Sequence, residues 1–502
     1  MTALERADAF IRQNTASINP RYRPAFHLCA PVGWINDPNG FCFFQGRYHL
    51  FAQFHPYESV WGPMHWAHWT SRDLLNWSLL PVALAPDTPA DSYGCFSGTV
   101  LPEDGVMRLA YTGAILNEGG EMRQRQCMAF SRDGVRFIKS EQNPVITAAQ
   151  LPLRHSAVDF RDPHLMARPG GGYRLIAASR REGNGTVVSF TSEDLRQWTF
   201  EGTLFDGMRC MVECPDLYEL DGYRVLTCSV EKMPPDALRY ANAYPVVYMT
   251  QSVAASGEAH WSQPAVVDNG LDFYAPQSLL CPDERRVMIG WMHCWGKEAP
   301  TNYLGHHWAG VLTLPRALSM KGGRLLQRPI DELSALRGER TDLLPFEIEG
   351  ETVVLAAADA CPAELTIVLA PMGRAPVRLN LLESGDERFA VFYDPEARTL
   401  TVDRGGCGYP MREEGEVEKK PWAAAAVPGE GGEVRLHVFI DRCCVEVFVD
   451  DGALTLSSLC FPKGENNGIS VSCDGKAAIR GATLWRLSPC GSGDKLKARR
   501  GL

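Results

Sequence analysis

From about residue 31 to residue 327 the chain is a succession of short apolar runs. They are separated by Gly, Pro, Asn and Asp and show almost no long helical periodicity. Such spacing predicts strands joined by tight turns. The runs also repeat. "NDPNGFCFFQGRYHLFAQ" from Asn36, "RDPHLMARPGGGYRLIAAS" from Arg161 and "ECPDLYELDGYRVLTCS" from Glu213 share a Pro, an apolar strand, a Gly-containing turn and a second apolar strand. Looser copies start at Phe96 and Tyr274, which makes five units about 50–65 residues apart. A second pattern is interleaved with the first. "TSRDLLNW" (70–77), "FSRDGVRF" (130–137) and "TSEDLRQW" (191–198) each place a Ser-x-Asp turn before an aromatic, in the outer half of a unit.

Five units of about four strands predict an all-β fold, a five-bladed β-propeller. A row of β-sandwiches would not require two interleaved repeats. After residue 325 the texture changes. "RPIDELSALR" has a short helical pattern, and the chain from 342 onward alternates apolar and polar residues, with "DDG" at 450–452 as a hairpin turn. A second all-β domain, a β-sandwich, is expected there. The organisation read from the chain is an N-terminal helix and lead-in (1–30), the propeller (31–327), a linker (328–341), the sandwich (342–488) and a flexible basic tail (489–502).

Composition narrows the functional classes. The chain has 502 residues, 45% hydrophobic and 22% charged, with a formal net charge of −10. No basic stripe offsets that charge, which argues against nucleic acid and anionic membranes as partners and for a small neutral or weakly charged substrate. "MTALERADAFIRQN" reads as a short amphipathic helix rather than a signal peptide, and no run approaches the ~18 apolar residues of a membrane span. A cytoplasmic location is expected. The sixteen cysteines mostly sit singly in apolar strands and read as reduced and buried. Cys210 and Cys214, the adjacent Cys443 and Cys444, and the two histidines of "HWAH" (65–68) lack the further ligands a metal needs, so no metal and no cofactor is expected.

In a propeller the first strand of each blade lines the axis, and residues at its start converge on one mouth. Asp37, Asp162 and Glu213 occupy that opening position, each close to a proline that biases the backbone to extended geometry. Taken singly, Asp beside Pro is a turn residue, Arg161–Asp162 a local ion pair, and Trp a core residue. Three acids in equivalent positions suggest chemistry. Breaking a glycosidic bond takes one carboxylic acid to protonate the leaving oxygen and one carboxylate at the anomeric centre. Trp34, Trp61, Phe96, Tyr274, Trp291 and Trp308 are candidate stacking platforms, and Asn36, Gln53, Ser97 and Arg161 candidate partners for hydroxyls.

With these stretches the chain resembles glycoside hydrolase family 32, the β-fructofuranosidases: invertases and sucrose-6-phosphate hydrolases. The matching segments are "GWINDPNG" (33–40), "FSG" (96–98), "RDP" (161–163), "EC" (213–214), "DFYAPQ" (272–277), "WAGVLTLPR" (308–316) and "DRCCVEVF" (441–448). The resemblance implies a five-bladed propeller followed by a β-sandwich. It implies Asp37 as nucleophile, Glu213 as general acid/base, Asp162 as stabiliser of the transition state, and retention of configuration through a covalent fructosyl intermediate.

Two departures stand out: Ile35 where Met is frequent, and Trp69 with Ala67 in "HWAHWTS", which is expected to alter the outer subsite. Sucrose, sucrose 6-phosphate or short fructo-oligosaccharides are the expected substrates. A phosphate would call on His65, Arg123, Arg125, His293, Lys297 or His307 at the rim. Fructosyl transfer is the alternative enzymatic reading, and a non-catalytic sugar-binding propeller the alternative from another class. The oligomeric state is left open, with a homodimer allowed.

Overall fold

The computed structural model describes every residue except 241, 254–259, 430, 466 and 491–502. The chain opens with helix α1 (Ala3–Asn14). Thr2 and Glu5 form a reciprocal capping box at its start, and Ala7 and Ile11 are its buried residues. Antiparallel sheets follow. The first comprises β1 (Gly33–Phe44), β2 (Arg47–His55), β3 (His65–Ser71) and β4 (Trp77–Leu79). The second comprises β5 (Gly94–Glu103), β6 (Val106–Leu116), β7 (Met122–Ser131) and β8 (Ile138–Lys139). The third comprises β9 (His155–Ala167), β10 (Tyr173–Arg181), β11 (Asn184–Ser192) and β12 (Thr199–Met208). The fourth is β13 (Val212–Leu220), β14 (Tyr223–Val230), β15 (Val246–Ser252) and β16 (Ala265–Val266). The fifth joins β17 (Tyr274–Leu280) and β18 (Arg286–Trp291) to β21 (Arg316–Lys321) and β22 (Arg324–Pro329). Between β18 and β21 lie β19 (Lys297–Glu298), the one-turn helix α2 (Pro300–Tyr303) and β20 (Trp308–Ala309). β20 pairs in parallel with β1. The Ser-x-Asp turns join the third strand of a sheet to the fourth. Asp73, Asp133 and Asp194 each accept the main-chain N–H groups two and three residues on, at 2.7–3.0 Å.

The first strands of successive sheets touch one another, and β17 returns to β1. A ring of side-chain bonds ties them. Asn39 Oδ1 accepts from Gly98 N (3.2 Å) and Thr99 Oγ1 from Leu165 N (2.9 Å). His164 Nδ1 accepts from Leu217 N (3.3 Å), Asp216 Oδ2 from Ser278 N (2.9 Å) and Gln277 Oε1 from Phe41 N (3.3 Å). Each bond crosses from one inner strand to the next, and the last closes on the first.

Just before each ring residue the inner strand slips register against its partner, at Ile35/Pro38, Phe96/Gly98, Arg161/His164, Glu213/Asp216 and Tyr274/Gln277. "NDPNG" is therefore not a turn preceding a strand. It lies inside β1, as a bulge that re-aims the side chains around it. Asp162, Cys214 and Ala275, each before a proline, hold positive φ (61°, 47° and 47°), a conformation costing of order 1–3 kcal/mol for a non-glycine residue.

The second domain is β23 (Arg337–Leu343), β24 (Phe346–Ala356), β25 (Ala363–Pro371), β26 (Val377–Ser384), β27 (Glu387–Asp394), β28 (Thr399–Asp403), β29 (Arg412–Glu413), β30 (Glu416–Val417), β31 (Trp422–Ala426), β32 (Val434–Ile440), β33 (Cys444–Val449), β34 (Leu454–Leu459) and β35 (Gly468–Leu487). It is a sandwich with its own apolar core. β35 runs for 20 residues and pairs with β23, β24, β25 and β26. At "DDG", Asp450 and Asp451 adopt positive φ (45° and 59°), which suits the tight connection of β33 to β34. The expected linker is shorter than 328–341. Only Asp331–Leu336 is helical, as a 3₁₀ turn, because Arg337–Leu343 already pairs with β35. The expected flexible tail falls mainly on residues 491–502, outside the described residues. Cys490 is instead buried, with its N–H bonded to Ala25 O at 2.9 Å. Among the described residues no helix is long and apolar enough to cross a membrane.

The domains are clasped by buried charge. Asp441, from "DRCCVEVF", accepts the N–H groups of Ala25, Phe26 and His27. His27 stands between Asp441 (2.9 Å) and Glu446 (3.0 Å), and Glu446 also binds Arg316 and Leu314 N. Lys297 and Arg404 both bind Asp272 and Glu418. His27, Asp441 and Cys444 are the one group among the described residues with metal-ligand spacing. Burial works against a charge on His27, yet bonds to the two carboxylates push it up to about 9. An imidazolium donating from both nitrogens has no lone pair for a metal.

Because its folded-state affinity for a proton is raised, His27 adds stability fully present below about pH 6.5 and lost as pH rises through about 9. The melting temperature should fall between pH 7 and 9, and His27→Gln should flatten that slope. The variant should also lose roughly 3–5 kcal/mol at pH 6.5, since two buried carboxylates lose their countercharge. Calorimetry across that range checks both.

Candidate active site

The bulges sort the inner-strand residues into layers. Two residues before the ring residue's own position stands the set Asp37, Ser97, Asp162, Cys214 and Ala275; one further back stand Asn36, Phe96, Arg161, Glu213 and Tyr274. The expectation that Asp37, Asp162 and Glu213 are equivalent is thus corrected. Cys214 is the counterpart of the two aspartates, and Glu213 is the counterpart of Arg161. The three acids still converge.

Asp37 is 5% exposed. Its Oδ2 accepts from Ser97 Oγ (2.6 Å) and Gln53 Nε2 (2.9 Å), and its Oδ1 accepts from Asn36 Nδ2 (3.1 Å). Trp34 Nε1 donates to Asn36 Oδ1 at 2.9 Å and so fixes that amide. Asp162 Oδ2 accepts from Cys214 N at 2.9 Å, and Thr112 Oγ1 accepts from Asp162 N at 2.8 Å. Cys214 Sγ lies 3.6 Å from the Oδ2 atoms of both Asp37 and Asp162.

Glu213 keeps 12% of its side chain exposed. Its Oε1 accepts from Arg161 Nε at 2.9 Å and its Oε2 from the Tyr274 hydroxyl at 2.5 Å. Arg161 is divided further among Glu231 (3.0 Å), Asp159 (3.3 Å) and Gln124 (3.4 Å). One guanidinium therefore faces an excess of carboxylates. Burial, the nearby Glu213 charge and, less strongly, Asp37 hold Asp162 well above the usual carboxylate range. Burial and Glu213 raise Glu231 likewise. Asp37 is raised by burial and by Glu213, against the pull of its three donors. A cluster of this kind keeps a proton near neutral pH.

The aromatic expectations divide. Trp34, whose indole holds Asn36, meets Trp291 edge-on at 5.6 Å, and Trp291 stacks on His293 at 5.0 Å. Trp61, 36% exposed, packs on Phe96 at 5.8 Å and forms rim. Trp308 is not drawn into this network. It sits in β20, 1% exposed, with Arg23 over its ring at 5.3 Å. Trp69 is corrected too. It is 3% exposed within the core, opposite Leu50 and Leu79, and lines no outer subsite.

The rim cations mostly have other tasks. His65 and His293 are buried, and desolvation pulls each down to about 4. Lys297 belongs to the clasp. Arg123 pairs with Glu121 at 2.6 Å. Arg123 and Arg125 flank Gln124 in β7, and since Gln124 reaches Arg161, strand alternation turns the two arginines to the other face. His307 is exposed.

Residues 27–329 match the family model for the glycosyl hydrolases family 32 N-terminal domain, and residues 332–486 that for the family 32 C terminal. The chain belongs to glycoside hydrolase family 32. It is 36% identical to the raffinose invertase of Escherichia coli over 97% of this chain and 99% of that protein. It is 34% identical to the sucrose-6-phosphate hydrolase of Escherichia coli over 93% and 95%. A solved beta-fructofuranosidase of Bombyx mori superposes with a TM-score of 0.82 at 31% identity, covering 98% of this chain and 99% of that one. The sucrose-6-phosphate hydrolase of Lactobacillus gasseri gives 0.84 at 26% identity, with 96% and 97% covered. This family 32 chain is a glycoside hydrolase.

Reading only the repeat openings missed Glu231, which follows the second strand of the fourth sheet in "SVEK", Gln124 and Thr112 on other strands, and Asp159 just upstream in β9. It did mark Tyr274, but as a stacking ring rather than as a hydroxyl donor to Glu213. Tyr274→Phe should lower kcat/KM about 10-fold or more, the worth of one hydrogen bond to a charged group. Its melting temperature should stay near the parent's, which thermal scans beside the kinetics check.

Proposed function

We propose that this family 32 enzyme is a retaining β-fructofuranosidase, that its five sheets are the blades of a propeller, and that the mouth of that propeller is the active site. Asp37 attacks the anomeric carbon of the fructosyl unit, and Glu213 protonates the departing oxygen. Water then releases fructose from the Asp37 ester, with Glu213 as base. Asp162 accepts from fructose hydroxyls as charge develops. The observation that carries the reading is the convergence of three carboxyls from the inner strands β1, β9 and β13. Asp37 and Asp162 are buried, each with an oxygen 3.6 Å from Cys214 Sγ, and Glu213 keeps 12% of its side chain exposed, where a leaving group would depart. The first domain thus carries the chemistry, and the second braces it.

Sucrose is the favoured substrate. Of the six cations that a phosphate could have used, His307 alone is exposed without a competing bond among the described residues. The names of the relatives, raffinose invertase and sucrose-6-phosphate hydrolase, support both sugars. Matched kinetics decide. A preference of more than about tenfold for sucrose 6-phosphate, roughly 1.4 kcal/mol of transition-state binding, would overturn the choice of plain sucrose.

Asp37→Ala and Glu213→Ala should each lose at least about 10³-fold in kcat on sucrose. With a fructoside whose leaving group needs no proton, the first step should recover in Glu213→Ala but not in Asp37→Ala. Full activity in Asp37→Ala would sink the assignment. A nucleophile must be ionised, so the raised Asp37 places the acid limb of kcat/KM above pH 3.8. Ser97→Ala, which removes the donor that most strongly holds Asp37 down, should move that limb higher still.

A further inference from the structure

The second domain carries an open trough of about 340 Å³ on the face shared by β24, β35, β26 and β27. Glu351, Arg378, Glu383, Arg388 and Asp474 line it, with Asn380 among them. Glu351, Arg378, Arg388 and Asp474 are exposed and Glu383 is half-buried; among the described residues none of the five makes an ion pair or a side-chain hydrogen bond, and Arg378 only covers the Phe392 ring at 5.7 Å. The buried Arg316 and Arg404 are by contrast fully bonded. Asn380 is 4% exposed and gives Nδ2 to Ser470 Oγ at 3.1 Å, while its Oδ1 has no partner. Unspent donors and acceptors around one space, with a buried amide oxygen left over, are the mark of a polar ligand site.

Its chemistry narrows the ligand. The carboxylates do not converge to the spacing that would hold a cation. Three of them against two guanidiniums disfavour a phosphate. A neutral polyhydroxylated molecule suits the set, because each hydroxyl donates to a carboxylate and accepts from a guanidinium. The volume is near the lower limit of ligand pockets, room for about one or two sugar rings. We propose that this trough is a second saccharide site, one that binds a neutral sugar without cleaving it. The inference goes beyond the assigned reaction and shares with it only the class of ligand.

The test uses the full chain as Asp37→Asn, so that sugar is bound and not consumed, titrated with 1-kestose by ligand-observed NMR. Two binding steps are expected. Arg378→Ala with Arg388→Ala, added to that chain, should weaken the looser step at least tenfold and leave the tighter one unchanged. A single step, or a looser step untouched by the double substitution, would overturn the trough. Loss of the tighter step with the looser one retained would count against the β-fructofuranoside reading instead. Should the double variant fail to fold, hydrogen exchange in the singly substituted chain decides. Slowing by 1-kestose over 377–384 supports the site, and its absence there refutes it.

Discussion

Five side chains carry the architecture: Asn39, Thr99, His164, Asp216 and Gln277. Each accepts a main-chain N–H from the neighbouring inner strand, and Gln277 closes the circle by accepting from Phe41. Inner strands of separate sheets share no ladder, so without these acceptors a buried N–H would go unsatisfied at every junction. The bulges follow from the same demand. A residue that turns sideways to reach the next sheet breaks pairing with its own, and the break displaces the residues just before it. Those residues are Asp37, Asp162 and Glu213. The carboxyls meet because the strands that carry them had to be joined.

Electrostatic economy then shapes the mouth. Arg161 serves Glu213, Glu231 and Asp159 at once, and Tyr274 completes the shell of Glu213. Too little positive charge is present to keep every acid ionised, and burial weighs further against it. Asp37 is the best provided with neutral donors, which befits a carboxylate proposed to attack. Glu213 keeps contact with solvent, which befits one proposed to exchange protons with a leaving group and then with water.

Much of this was visible in the chain. Proline after Asp37 and after Asp162, with Gly and Asp turns at fixed offsets, marks five similar units because each unit meets the same bulge and hairpin. Glu213 was found but placed one position out, since "ECP" carries the acid before the residue equivalent to Asp162. Trp69 and Trp308 were misread for a different reason. Sheets covered on both faces lack the polar alternation that tells which way a side chain points. Nor does local pattern disclose that Asp441 and Glu446 are buried partners of His27, 414 and 419 residues away in sequence.

That last contact has a consequence for synthesis. A chain leaving the ribosome generally folds its N-terminal domain first. Here the lead-in Ala25–His27 and the end of the ring near Leu314 and Arg316 are held by acids that emerge only at 441 and 446. The first domain is translated long before it can be finished. Until the last third of the chain arrives, His27 lacks both of its carboxylates and Arg316 has Asp268 but not Glu446 to balance it.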